Sequence, residues 1–190
     1  MRSLQAIAEG LQFPEGPIAM PDGSIILVEI ARGTLTRVHK TGKKEVIADL
    51  GGGPNGAAIG PDGACYVCNN GGFNWEKDAS SGYLRPIGQS NDYVTGRIER
   101  VDLETGKVER LYDTCGENRL NGPNDLVFDT SGTCGSLTLG KLVIETRIEE
   151  QYTGHVPMEV KYVKSYSRLP RQMVLVCPLM KRHSMWPKQR

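Results

Sequence analysis

The sequence predicts an all-β chain of short antiparallel strands, and three observations carry that reading. Apolar, β-branched runs such as SIILVEI (24–30) and alternating ones such as TLTRVHK (34–40) are bounded by Thr-Gly and Pro-Asp-Gly turns. One local pattern recurs: Glu15 precedes Gly23 in EGPIAMPDG, Asn55 precedes Gly63 in NGAAIGPDG, and Asn124 precedes Gly132 in NDLVFDTSG, each by eight positions. No stretch carries a convincing helical period.

The elements follow in order. Residues 11–50 read as one unit, in which SIILVEI and TLTRVHK lead through a Thr-Gly turn to KEVIADL (44–50). Residues 55–113 repeat the plan as AAI, ACYVCN, the strictly alternating GRIERVDL, a second Thr-Gly turn and KVERLYD. Between them lies the insertion GGFNWEKDASSGYLRPIGQSNDYVTG (71–96), polar and turn-rich but carrying Trp75, Tyr83 and Tyr93. It reads either as a surface loop anchored by a few aromatics or as a lid, since long loops in compact domains are often functional.

Repetition superposes equivalent positions. If each unit is one blade of a propeller, Glu15, Asn55 and Asn124 face a common axis. A ring of carboxylate and amide oxygens is the environment a hard cation such as calcium takes. Each residue also has a plainer reading: Glu15 could cap a turn, and Pro-Asn-Gly around Asn55 is a good turn by itself. Cys65 and Cys68 form CxxC on a strand, where positions i and i+3 face opposite sides, so packing is favoured over zinc. His39, His155 and His183 have no partner pattern for a nucleophile–base triad.

The 190 residues suit one domain, and no stretch is apolar enough to span a bilayer. The N-terminus MRSLQAIAEG lacks the apolar centre of a signal peptide. Five cysteines in an odd, sparse set fit a reducing cytoplasm. The net charge of +1 hides an asymmetry: residues 1–132 carry 13 Lys/Arg against 18 Asp/Glu, whereas 133–190 carry 10 against 4. Twenty of the 23 glycines precede Thr133, and no aspartate follows Asp129. A basic tail ordinarily suggests nucleic acid or an anionic membrane; neither partner is expected here, because the coding of the tail gives another account.

FPEGP, PDG, GGGPNGAAIGPDG, GRIERVDLETGKVE and NGPNDLVFD together resemble the gluconolactonase/regucalcin (senescence marker protein) family of β-propellers, almost continuously over residues 11–132. The resemblance implies a propeller of about six four-stranded blades, of which this chain would hold about two and a half. It also implies a divalent metal on the axis (calcium, with zinc and magnesium as alternatives) and hydrolysis of sugar lactones and related esters. Carried over by position, Glu15 is the first metal ligand. Asn124 falls where relatives place a ligand or substrate contact; in the paraoxonase and diisopropyl fluorophosphatase branches that asparagine binds calcium. Asn55, Arg119 and Asp125 are the implied substrate contacts, although Asp125 could equally steady the Asn-Asp corner and a surface arginine is commonplace. The resemblance also requires a later Asn in a TNG-type motif and a later Asp in a PDG-type motif, and neither is present, so the catalytic set is incomplete and the chain is expected to be inactive. A non-catalytic metabolite-binding or interaction propeller is the alternative.

Residues 133–190 do not resemble the family, and their coding explains why. If each true codon begins on the third base of the one used, Gln172–Trp186 can be encoded so that the neighbouring frame spells NGVGLSPDEKTLYVA, the missing unit. Met and Trp have single codons, so Met158–Glu159 and Met173–Val174 force Gly, Met180–Lys181 forces Glu, Met185–Trp186 forces Val and Trp186–Pro187 forces Ala, each as the family pattern wants. The chain therefore reads as the N-terminal part of a propeller lactonase domain (1–132) followed by a frameshifted tail (133–190), one base being lost near Gly132–Thr133. The rival account is a divergent C-terminus with coincidental coding.

Overall fold

The computed structural model describes residues 5–115, 117–129, 132–138, 145–148, 158–161 and 173–178. Among these, every regular element is a strand. Strands β1 (Pro14–Ala19), β2 (Ile25–Glu29), β3 (Thr34–Val38) and β4 (Lys44–Asp49) form an antiparallel sheet in sequential order. Next come β5 (Pro54–Ile59), β6 (Cys65–Asn69), the hairpin β7 (Phe73–Lys77) and β8 (Leu84–Gln89), then β9 (Arg97–Val101) and β10 (Val108–Tyr112). The second sheet is β5-β6-β9-β10, with the hairpin inserted as a separate two-stranded sheet.

After the short pair β11 (Thr114–Cys115) and β12 (Asn118–Arg119) come β13 (Pro123–Phe128), β14 (Thr133–Thr138), β15 (Glu145–Ile148), β16 (Met158–Lys161) and β17 (Met173–Pro178). A third sheet has the order β13-β14-β17, and β15 pairs with β16. The arrangement is all-β and consistent with part of a propeller.

Sheets stacked face to face bury both faces of their central strands, which is why β6 reads as a continuous apolar run. Cys65 and Val67 join Ile26, Val28, Leu35 and Val101 in the cluster between the first and second sheets. Tyr66 and Cys68 point the other way, packing with Ile98, Leu120, Leu126 and Cys134. The opposite facing expected of the CxxC pair is observed, and both thiols are free and buried. His39 bonds Glu45 at 2.9 Å on the surface; His155, His183 and the Lys181–Arg182 pair lie outside the described residues.

The three repeated turns close alike. Gly23, Gly63 and Gly132 donate to the carbonyls of Met20, Gly60 and Asp129 at 2.8, 3.0 and 3.1 Å. Each adopts a φ near +80° (76°, 80° and 82°), a conformation that glycine reaches without a Cβ penalty. Asp22 Oδ1 accepts from the backbone N–H and hydroxyl of Ser24, and Asp62 Oδ1 from Ala64 N–H. These side-chain turns explain the aspartate of Pro-Asp-Gly.

Residues 71–96 begin with the hairpin β7–β8, in which Trp75 pairs with Pro86 across a local irregularity. A proline is tolerated there because a two-stranded sheet consists of edges. Beyond Gly132, the backbone of β14 continues the third sheet against β13, and β17 pairs along its far side. Backbone pairing needs only an extended chain beside an open edge, which β13 provides.

Candidate functional site

Strands β1, β5 and β13 each open with a proline, and the repeated Glu or Asn follows it. A strand's first position tolerates the missing N–H. Each strand then departs from regular pairing: between Glu15 and Ile18 in β1, between Pro54 and Gly56 in β5, and between Pro123 and Asp125 in β13. Asn55 and Asn124 are thus the unpaired residues of local bulges, the device by which a strand re-aims a side chain.

The three strands lie side by side. A Cβ on Gly16 would stand 2.8 Å from Ala57 N and 3.2 Å from Asn55 O, so β1 runs against β5. A Cβ on Gly56 would stand 2.5 Å from Asp125 Cα, so β5 runs against β13. Asn55 Nδ2 donates to Asn124 Oδ1 at 2.8 Å, joining residues 69 positions apart in sequence. Glu15 is solvent-exposed, and its carboxylate has no hydrogen-bond or ion-pair partner among the described residues. Asp125 Oδ1 accepts from Leu126 N–H at 2.8 Å, which steadies the Asn-Asp corner. Arg119 stands on β12, exposed, with Nη1 donating to Val94 O at 3.1 Å.

Beneath the site lies a layer of buried polar side chains that the sequence reading did not pick out. Glu29, 1% exposed, ends β2. Its Oε2 accepts from Gln12 N–H at 2.7 Å and lies 3.1 Å from Arg32 Nε, while Oε1 accepts from the Thr36 hydroxyl at 2.8 Å. Asn69 occupies the same slot in β6: Oδ1 accepts from Gly53 and Gly71 N–H, and Nδ2 donates to Gly51 O and Glu99 Oε2. Each therefore grips a backbone N–H of the segment leading into Pro-Glu or Pro-Asn. A sequence signal did exist, since Glu29, Asn69 and Thr138 each lie fourteen residues after the repeated Glu or Asn.

The donors fit a hard cation in kind, being carboxylate and amide oxygens without sulfur. Among the described residues no three His, Cys, Asp or Glu side chains gather where they could hold a metal ion. The Asn55 amide already occupies one face of Asn124 Oδ1, leaving that oxygen a second lone pair.

With this geometry in view, comparison with known proteins adds the following. A family model described as the SMP-30/gluconolactonase/LRE-like region matches residues 13–148, a stretch that runs past Gly132. No curated protein sequence matches the chain. Among solved structures, the chain is similar to a candidate gluconolactonase from the Northeast Structural Genomics Consortium, at 19% identity and a TM-score of 0.51, covering 70% of this chain and 39% of that one. It is also similar to a gluconolactonase from Xanthomonas campestris described as important in glucose secondary metabolic pathways, at 15% identity and a TM-score of 0.54, covering 83% of this chain and 49% of the other. The chain thus spans less than half the length of both, and the likeness concerns the fold.

Proposed function

This chain belongs to the SMP-30/gluconolactonase/LRE-like family, and on that premise we propose that it derives from a metal-dependent hydrolase of sugar lactones. The observation that carries the reading is the contact between Asn55 and Asn124, which brings two separate repeats together beside the strand that bears Glu15. Glu15 and Asn124 would hold the divalent ion, calcium before zinc or magnesium. Bound there, the ion supplies Lewis acidity toward a lactone carbonyl.

The chain's own residues supply orientation. The Asn55 N–H fixes the direction in which Asn124 Oδ1 faces, and Glu29 and Asn69 fix the backbone entering β1 and β5. Asp125, held at one oxygen by Leu126 N–H, keeps the other for a ring hydroxyl. Arg119 spends one N–H on Val94 O and keeps the rest of its fork for a substrate oxygen.

The chain as it stands is inactive in this proposal. Residues 133–190 are read out of frame, so the later Asn and Asp of the pattern are missing. Sequencing the gene across the codons for Ser131–Cys134 tests the frame directly. The function is tested by assaying glucono-δ-lactone hydrolysis with and without a chelator, on this chain and on a version with one base restored near Thr133. Chelator-sensitive turnover in the restored chain and none in the present one supports the reading; turnover in the present chain, abolished by Glu15→Ala, removes the claim of inactivity. The Asn55 amide, which takes up one lone pair of Asn124 Oδ1, favours a second reading, a non-catalytic metabolite-binding module. Saturable lactone binding by the restored chain without turnover selects it.

A further inference from the structure

We propose that Phe13, Phe73 and Trp75 form an aromatic subsite for the C–H face of a sugar-lactone ring, with the side-chain amide of Asn70 as its polar counterpart. The inference rests on the lactone reading above and assigns where the ring sits.

Phe13 is the non-glycine residue with positive φ (57°) among those described. That conformation is strained for a bulky L-residue and persists only where its surroundings impose it. Here Phe13 O accepts from Ile30 N–H at 3.0 Å. The ring packs on Trp75, with centroids 4.9 Å apart and planes at 53°, and Trp75 in turn meets Phe73 edge-on at 5.9 Å.

The cluster lies at the end of the sheets where the candidate site lies. Phe13 precedes Glu15 by two residues, a reach of at most about 7 Å. Phe73 and Trp75 leave the second sheet just after Asn69, which pairs with Pro54, the neighbour of Asn55. The hairpin thus brings Trp75 from the second sheet against Phe13 at the start of the first, with a register irregularity between Asn74 and Trp75.

These rings belong to neither buried cluster. Phe13 is 37% exposed, and Phe73 and Trp75 are half-buried, so part of their apolar surface remains open. Asn70 is an independent pointer. It is 8% exposed, its Oδ1 accepts from Gly72 N–H at the base of the hairpin, and its Nδ2 is the buried side-chain polar atom without a partner among the described residues. An unpaired buried donor is costly, and a ligand oxygen that reached it as the base of the hairpin shifted would satisfy it. Half-exposed aromatic surface beside a placed amide donor suits a ring that presents C–H bonds on its face and hydroxyls at its edge.

The test uses the full chain carrying Trp186→Phe, so that Trp75 is the sole indole fluorophore. Fresh glucono-δ-lactone is titrated against Trp75 emission, with δ-valerolactone, which lacks the hydroxyl edge, as comparator. We expect a saturable change with gluconolactone and a half-saturation about tenfold higher in Phe13→Leu and in Asn70→Ala, the loss of one good contact. Phe13→Tyr should restore the wild-type value, which a folding defect at position 13 would not predict. An unresponsive Trp75, or equal half-saturation for both lactones in every variant, overturns the subsite. Glu15-dependent hydrolysis with a silent Trp75 ends this inference and leaves the lactonase reading standing. A responsive Trp75 without hydrolysis in any version supports the subsite and ends the lactonase reading.

Discussion

Gly56→Ala probes the close approach on which the candidate site depends. The new methyl would sit 2.5 Å from Asp125 Cα and Oδ1 and 2.6 Å from Asn124 O. Comfortable carbon–carbon contact lies near 3.5 Å or beyond, so β5 and β13 would have to part by about 1 Å. Two of the three obstructing atoms are backbone and cannot rotate aside. Overpacking of this kind costs about 1–3 kcal/mol, and the upper end applies because strands rather than rotamers must move. Separation also breaks the hydrogen bond from Asn55 to Asn124, worth about 1 kcal/mol. The expected loss is therefore roughly 3–4 kcal/mol. Gly63→Ala is the control: its φ of +80° strains any Cβ, yet nothing lies within 4 Å, so only about 1–2 kcal/mol should be lost. Urea unfolding of both variants gives the comparison. If Gly56→Ala costs no more than Gly63→Ala, the innermost strands do not meet as described, and the shared axis goes with them.

Other expectations follow from the same structure. Burial alone pushes the Cys65 thiol up to about 12, and burial, partly offset by the Ser136 hydroxyl, does the same for Cys68. Neither should react with a thiol reagent at neutral pH until the chain unfolds, and rapid labelling of the native protein would contradict their placement. Glu29→Gln should lower stability by about 2 kcal/mol in urea melts, since one of its two buried acceptor oxygens becomes an NH2 and the pair with Arg32 is lost, whereas exposed Glu15→Gln should change it by less than about 0.5 kcal/mol. Hydrogen bonds from the Ser24 hydroxyl and N–H hold the Asp22 carboxyl below the ordinary range, and those from Thr105 do so for Asp102. A folded pKa below the unfolded one stabilises the fold above the unfolded value, and that contribution is lost as pH falls through the folded one. Thermal midpoints should thus hold from pH 7 to about 5 and decline below about 4, less steeply in Asp22→Asn; a rise on acidification would contradict the turn geometry.

Much of this fold is legible in the residues. TLTRVHK alternates because it pairs in a sheet, GRIERVDL less strictly because Ile98 and Val101 pack on opposite faces, and the Thr-Gly and Pro-Asp-Gly turns mark where strands reverse, so the order of both complete sheets can be read directly. The hairpin β7–β8 is less visible, because FNWEK alternates over only four residues and Pro86 and Gly88 interrupt the second strand; its position depends on Phe13, which is distant in sequence. For the site, the eight-residue spacing locates Glu15, Asn55 and Asn124. The supporting layer of Glu29 and Asn69 escapes attention because a single polar residue at the end of an apolar run looks like an ordinary strand terminus. Only its hydrogen bonds across the sheet, to Gln12 and Gly53, reveal the grip on the neighbouring strand.

Calorimetric titration with calcium asks whether Glu15 and Asn124 converge on one incomplete cation site. The wild-type chain, Glu15→Gln, Asn124→Ala and the double variant would be compared at matched ionic strength. A single shared ion predicts weak binding in the wild type, since calcium sites want about six to eight oxygens. Each single substitution should then remove that binding, and the double variant should lose nothing more. Tight, stoichiometric binding that survives both substitutions would contradict the account.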